Sequence, residues 1–325
     1  MEPPPPDSRD PNPPSAGNTR AGFFQIHLAV FFFGFSGLLG KLIAAGPPVI
    51  VFGRTFFAAI ALLAYLILTR RRPSLRSGRS GLTLFLSGVL LAAHWGAFFQ
   101  SIQTASVSVA LITFGTFPLW IAFLEPLAFR EKLGVFDGIA ALAVAAGLAF
   151  VVPGFDPADR MTQGVLWGLL SGISFAVLSV WNRIHVRTHP PLTIAFYQLA
   201  FAAAASLPFA VRTGAYLTAT DIPLLVILGV VCTAAAQTLY IGSLRWISAR
   251  MAGIVIGLEP VYGILLAMIL LGEIPSLRVA FGGMIILAAV LVMMIRKSRP
   301  VVPASGTFRK RLHDERRERG GSNPI

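Results

Sequence analysis

One carboxylate lies inside an apolar stretch long enough to cross a bilayer. Glu259 is followed by Pro260, and the run around them carries no other charge from Met251 to Gly272. An acid in hydrocarbon is costly, so such residues usually face a bundle interior or a wet cavity. The expected chemistry is binding of a proton, a cation or a substrate amine. A structural ion pair with Arg54 or Lys41 is the alternative, and both interpretations stay open.

A basic residue and several aromatic residues could share the same cavity. Arg54 could hold a substrate carboxylate through two parallel hydrogen bonds, or it could tie two helices together. Tyr262 follows Glu259 by three residues and therefore shares its helical face. Membrane proteins also place aromatic residues at the lipid interface, and His27 is predicted to be a packing residue. The predicted substrate-binding residues are Glu259, Tyr262, Arg54, His94, Trp95, Trp120 and Tyr240.

Motifs for enzymatic chemistry are missing from the sequence. It has no Gly-rich phosphate loop, no His/Cys cluster with metal spacing and no Ser/His/Asp arrangement. We therefore predict no catalytic residue, no metal and no cofactor, and we expect that the protein is not an enzyme. A membrane-embedded enzyme is kept as an alternative, and it would need acidic or histidine side chains that converge at one depth.

Prolines and glutamates recur at a constant offset along the chain. Pro118 precedes Glu131 by the same interval that separates Pro260 from Glu273, and the two pairs lie 142 positions apart. The Pro47–Pro48 pair recurs at Pro190–Pro191 with an offset of 143. A nearly constant offset over most of the chain predicts two copies of one unit. Pro118 and Pro260 fall at mid-span, where we expect them to kink the helices and act as hinges.

Composition supplies the class of protein that carries these residues. The chain is 55% hydrophobic and 13% charged with a mean hydropathy of +0.73, whereas soluble domains carry about 25% charged residues. The fold class is therefore an all-α polytopic membrane protein with the lipid bilayer as its partner. Ten segments are predicted to cross: 23–43, 47–69, 80–101, 105–128, 134–152, 163–186, 190–211, 221–243, 249–271 and 277–296.

Basic residues predict the orientation of these ten helices. Arginine and lysine collect in alternate connections, above all in 70–79, and in the C-terminal tail, which places both termini in the cytoplasm of an inner (plasma) membrane. The net charge of +13 therefore reflects topology, and no nucleic acid partner is expected. Since each copy has five helices, the second copy enters from the opposite side. Inverted five-helix repeats are typical of secondary transporters, whose substrate sites lie near the midplane.

Four regions follow from this interpretation. Residues 1–22 form a polar leader expected to be disordered, 23–152 the first repeat, 163–296 the second repeat, and 297–325 a basic tail. On the sixth helix Gly164, Gly168 and Gly172 recur every four residues, which predicts close helix contacts. Homodimer formation stays an open alternative.

Two long stretches carry a resemblance to a known family. SIQTASVSVALITFGTFPLWIAFLEPLAFREKL and SLRWISARMAGIVIGLEPVYGILLAMILLGEIPSLRVAFGGMIILAAVLVMM each resemble the second part of an EamA domain. Over residues 24–296 the chain resembles the EamA-type branch of the drug/metabolite transporter superfamily. The resemblance implies ten helices in two inverted repeats, and alternating-access movement of small metabolites, often export of amino acids or related compounds. A nucleotide-sugar-type carrier is the runner-up.

Overall fold

The computed structural model describes residues 16–71, 73, 78–129, 134–152, 154–185, 189–213, 217–243, 246 and 255–297. Within these residues the secondary structure is entirely helical. The helices are α1 Ala16–Leu42, α2 Pro47–Leu68, α3 Gly78–Thr104, α4 Val107–Phe114, α5 Phe117–Phe129, α6 Val135–Val151, α7 Arg160–His185, α8 Pro191–Arg212, α9 Asp221–Gly229, α10 Ala236–Ser243, α11 Glu259–Leu271 and α12 Leu277–Lys297, with a π-helical segment at Val230–Ala235.

Among the described residues, eight helical stretches are long and apolar enough to cross a bilayer, and α6 and α11 are shorter apolar helices. Together they agree with the ten spans that the sequence predicts. Helices are favoured here because lipid offers no hydrogen-bond partner to a free peptide group. One boundary is corrected: α1 begins at Ala16, inside the predicted leader 1–22. Its first turns extend past the apolar run, where Arg20 is exposed, so hydropathy does not mark the start.

The two repeats begin their second helices in the same way. Pro47 and Pro48 occupy the first turn of α2, and Pro191 opens α8 directly after Pro190. Proline suits these positions because the first amides of a helix have no intrahelical acceptor and the fixed φ is already helical. The recurring proline pair therefore marks a recurring helix start.

The fourth and ninth spans are broken, which corrects the predicted continuous helices 105–128 and 249–271. Gly115 and Thr116 separate α4 from α5, and Gly257 and Leu258 lie in a turn immediately before α11. The two breaks are 142 residues apart. Pro118 and Pro260 each follow the first residue of a new helix, so they do not kink a helix from within. Their role as hinges stays a prediction.

Helix packing follows a pseudo-twofold axis in the membrane plane. The contact of α3 with α7 is matched by that of α10 with α1, and the contacts of α4 and α5 with α7 by that of α11 with α1. Contacts between corresponding helices of the two repeats, α2 with α8 and α6 with α12, lie on the axis itself, and α4 of the fourth span contacts α11 of the ninth beside it. The molecule is thus a pair of inverted five-helix repeats with the broken spans meeting at its centre.

Small residues allow the closest helix contacts, as predicted for α7. A methyl group at Gly164 would overlap Ala105, and one at Gly168 would overlap Thr113. One at Gly172 would stand 3.2 Å from the carbonyl oxygen of Phe114. Backbones can approach this closely only where the side chain is minimal. The glycine stripe therefore seats α7 of the second repeat against α3 and α4 of the first.

One membrane face, termed the distal face, lies opposite the first turn of α1 and the last turn of α12. It carries the connections that follow α1, α3, α6, α8 and α11. The helix ends that border the other connections lie on the opposite face, and the residues between them (74–77, 130–133, 186–188 and most of 244–254) fall outside the described residues.

Candidate functional site

The two helix breaks meet at the centre of the bundle. A methyl group placed on Gly115 of the first break would stand 3.1 Å from the ring of Pro260 just after the second. Each break starts a helix near mid-membrane, with Phe117 first in α5 and Glu259 first in α11. Exposed amides and the helix dipole make such a start favourable for negative charge. This suits the carboxylate of Glu259 and any anionic group that approaches it.

The Glu259 side chain is buried, and it has no bonded partner among the described residues. It is 8% exposed, and within the described part of the chain no hydrogen bond or ion pair to its carboxylate is found. The predicted structural pairs are therefore absent from this conformation: Lys41 donates to the carbonyl of Ile102 at 3.3 Å, and Arg54 interacts with Glu259 only through space. A buried acid without a partner is unstable alone, so it indicates a place where a proton or cationic group binds.

Arg54 is held in place by Thr233 and Trp95, and among the described residues one of its hydrogen-bond donors is unused. Its Nε and Nη2 donate to the Thr233 hydroxyl oxygen at 3.1 and 2.9 Å, and its Cζ lies 4.0 Å from the ring centroid of Trp95. The residue is 2% exposed, and its buried Nη1 has no hydrogen-bond partner in the part of the chain that the structure describes. A buried guanidinium with an unused donor is a ready partner for an anionic group.

Thr233 owes its position to a local irregularity of the eighth span. It lies in the π-helical segment Val230–Ala235, and its hydroxyl donates to the carbonyl of Leu228, five residues earlier, at 2.8 Å. With its proton used there, the oxygen is left to accept from Arg54. Single π-helical turns inside helices often occur at functional sites.

His94 extends the cluster of Arg54 and Trp95 toward α7. Its Nδ1 lies 3.0 Å from the carbonyl oxygen of Ser171 and 2.9 Å from the hydroxyl of the same residue. Its ring contacts an aromatic group that surrounds the first break. This group consists of Phe98, Phe114, Phe117 and Phe175. His94 is thus anchored between α3 and α7, with aromatic walls on the side of the break.

Trp120, Tyr262 and Tyr240 have contacts of their own. Trp120 donates from Nε1 to the Thr116 hydroxyl at 3.1 Å and so closes the first break on itself. The Tyr262 hydroxyl lies 2.8 Å from Nδ1 of His27, which is therefore more than the packing residue predicted. Tyr240 packs with Tyr262 against Ile26 and Val30 of α1. The structure thus brings together Arg54, Trp95 and His94, and places Tyr240 and Tyr262 in a second group on α1.

Three residues of the site are not predicted from the sequence. Thr233 and Ser171 each contact a predicted residue, and Phe175 adds a wall from the second repeat. Thr233 is a polar residue at the middle of an apolar span, a signal that could have drawn attention. The π-helical segment directs Thr233 toward Arg54, and nothing in the residue pattern predicts that segment.

Comparison with known proteins identifies the family. The EamA-like transporter family model matches residues 20–152 and again 162–295. Together the two matches cover most of the chain, so the protein belongs to the EamA-like transporter family. It is a multi-pass membrane transporter of the kind that its inverted repeats and central helix breaks indicate.

Individual relatives agree with this assignment. An uncharacterized transporter of Archaeoglobus fulgidus is 28% identical over 84% of this chain and 96% of its own length. The uncharacterized transporter YxxF of Bacillus subtilis is 25% identical over 71% of this chain and 76% of its own. An S-adenosylmethionine uptake transporter of Rickettsia bellii is 23% identical over 77% and 84%, respectively.

A solved structure supports the fold alone. One crystal structure superposes with a TM-score of 0.61 at 21% identity, and covers 86% of this chain and 99% of that chain. At this identity the match extends to the arrangement of helices and carries no information on substrate.

Proposed function

We propose that the protein exports small amphipathic metabolites, such as amino acids or related compounds, by alternating access between its two repeats. The observation that carries the proposal is the buried Glu259 carboxylate at the start of a broken helix. In known transporters of this architecture, discontinuous helices form substrate and ion sites at the repeat interface. The export direction rests on the resemblance to the family.

Two opposed charges suit a substrate that carries both signs. Glu259 can accept hydrogen bonds from a substrate ammonium group, and Nη1 of Arg54 can donate to a substrate carboxylate. Because neither group is bonded to the other, a zwitterion can satisfy both at once. Trp95, His94 and the phenylalanines around the first break offer apolar and aromatic surface for a side chain. An amino acid with an apolar side chain therefore matches the charges and the walls.

Transport in purified vesicles tests this proposal. Proteoliposomes would be loaded with radiolabelled leucine, and its efflux compared with that of leucinamide and 4-methylpentanoate, which each lack one of the two charges. We expect the zwitterion to be transported fastest and to compete best. If large anionic conjugates compete and amino acids never do, the substrate class is wrong and a nucleotide-sugar-type carrier is favoured.

A second candidate, uptake of S-adenosylmethionine, comes from the relative in Rickettsia bellii. That compound also carries an amino-acid zwitterion and adds a cationic sulfonium and an aromatic base. It would use the same two charges and a larger aromatic surface. Uptake of radiolabelled S-adenosylmethionine into the same vesicles, against leucine as competitor, separates the two candidates.

We also propose that the protein resides in the plasma membrane with both termini in the cytoplasm, because basic residues favour that side. Reporters fused after Arg71 and after Lys297 should both report the cytoplasm. A periplasmic signal from either fusion would contradict this orientation.

A further inference from the structure

Three charged side chains of the second repeat bind backbone groups of the first repeat at the distal face. They are Arg160 at the start of α7, Asp221 at the start of α9, and Glu273 just after α11. Each comes from a different span, and each bonds main-chain atoms at the end of a first-repeat helix. This pattern is independent of the central site and of any substrate.

Asp221 ties the eighth span to the connection between α1 and α2. One carboxylate oxygen accepts from the amide of Ala44 at 3.0 Å. The other accepts from the amide and the hydroxyl of Thr218 at 2.8 and 2.7 Å. The side chain is 1% exposed, so both oxygens are saturated within the protein. A buried acid in this setting is costly to pull away from its donors.

Glu273 ties the end of the ninth span to the start of the fourth. Gly272 takes a left-handed conformation with φ of 65°, which turns the chain back at the end of α11. Glu273 can then accept from the amide of Ser108 at 3.2 Å, in the first turn of α4. Amides in a first helical turn have no intrahelical acceptor, so an acid is favourable there.

Arg160 grips the end of α3. Its Nε and Nη2 donate to the carbonyl oxygens of Thr104 and Gln103 at 3.1 Å each. Gln103 in turn donates to the carbonyl of Ala45 at 2.9 Å, next to the residue held by Asp221. The last carbonyls of a helix favour a cation. The three contacts therefore join the ends of α1, α3 and α4 to the second repeat on one face.

From this arrangement we infer that Arg160, Asp221 and Glu273 form an inter-repeat latch that holds the distal face closed. Alternating access requires the repeats to separate at one face and then at the other. The latch must open before the central site can reach the distal side. Its loss shifts the population toward the state that is open on this face, because only the closed state makes these bonds.

Spin-label distances test the latch without knowledge of the substrate. In a Cys232→Ala background, labels would be placed at Leu42→Cys and Leu277→Cys, two exposed positions at the distal ends of α1 and α12. The unaltered latch should give one short distance distribution. Combined Arg160→Ala, Asp221→Ala and Glu273→Ala changes should add a component several ångströms longer. Single changes should give intermediate fractions.

Two control variants separate opening from general damage. Asp159→Ala removes a carboxylate on the same face that accepts from Thr162 within its own turn, and it should leave the distances unchanged. Glu273→Gln keeps an acceptor for Ser108 and should restore most of the short component lost in Glu273→Ala. Labels at Leu217→Cys and Leu277→Cys, both in the second repeat, should not move apart.

If Asp221→Ala does not yield folded protein, the half-buried Glu273 and exposed Arg160 still decide the matter in the double variant. Folded variants whose Leu42–Leu277 distances match those of Asp159→Ala overturn the latch. Since this experiment uses no ligand, its outcome does not depend on which metabolite is transported. A failed leucine assay together with longer distances would reject the proposed substrate and keep the latch.

Discussion

The two helix breaks have the same backbone arrangement but differ in their side chains. Phe117 and Glu259 hold the same place, 142 residues apart, each at the first position of a new helix followed by proline. Phe117 stacks on Phe114 with ring centroids 5.2 Å apart and meets Phe175 edge-on at 5.0 Å. Glu259 has no bonded partner within the described residues. Both repeats therefore have a helix that starts at the break, whereas only the second repeat has a carboxylate at that position.

The neighbours of the two breaks show the same contrast. Thr116 corresponds to Leu258, and it both donates to the carbonyl of Thr113 and accepts from Trp120. Trp120 corresponds to Tyr262, which contacts His27 on α1 instead of its own break. The first break is thus closed by its own polar groups and an aromatic cluster. We infer that the first break is mainly structural and that the second carries the function.

The largest expected effect concerns the charge opposite Glu259. Arg54→Lys should lower the initial transport rate by about 100-fold, since an ammonium cannot reproduce the paired donors to Thr233 together with the flat contact on Trp95. Arg54→Ala should be at least as damaging. Rates would be measured in proteoliposomes with protein content matched. A Lys variant with full activity would show that a point charge is sufficient and that the guanidinium geometry is unimportant.

Removing the aromatic residue of the first break should affect stability more than transport chemistry. Phe117→Ala leaves a cavity beside the rings of Phe114 and Phe175 and should cost about 3 kcal/mol in the free energy of unfolding. The pH profile of the remaining transport should match that of the unaltered protein. Thermal unfolding and transport would be measured on the same preparation. A changed pH profile with normal stability would show that the two breaks are functionally equivalent.

Thr233 provides a further test of the difference between the two breaks, because it positions Arg54, which we pair with Glu259 at the second break. Thr233→Val keeps the shape and removes the acceptor, and should raise KM for a carboxylate-bearing substrate about tenfold, equivalent to about 1.4 kcal/mol. Thr233→Ser keeps the hydroxyl and should restore most of the affinity. Equal KM values for the Val and Ser variants would remove Thr233 from the positioning of Arg54.

The sequence predicted the spans and the repeat well because lipid enforces long apolar helices and the offset of 142 recurs in Pro118 and Pro260. It did not predict that both prolines start new helices, since a proline at mid-span is compatible with a kink or with a break. The residue types of Arg54, Trp95 and His94 predict a shared site, and these three side chains do meet. Tyr240 and Tyr262 pack instead on α1, because the tertiary contacts of α1 decide where they point. The sequence alone shows that Phe117 and Glu259 occupy equivalent positions and differ in type. The contacts that each side chain makes depend on the tertiary structure and could not be predicted from the sequence.

The most direct test of the account measures transport and stability of Glu259→Gln across pH. The substitution keeps the shape of the side chain but removes its negative charge and its ability to bind and release a proton. We predict a folded protein with a melting temperature close to that of the unaltered protein. Its transport should fall at least about tenfold, or lose its pH dependence. A stable variant with unaltered transport at every pH would contradict the account, and joint loss of stability and activity would assign Glu259 a structural role instead.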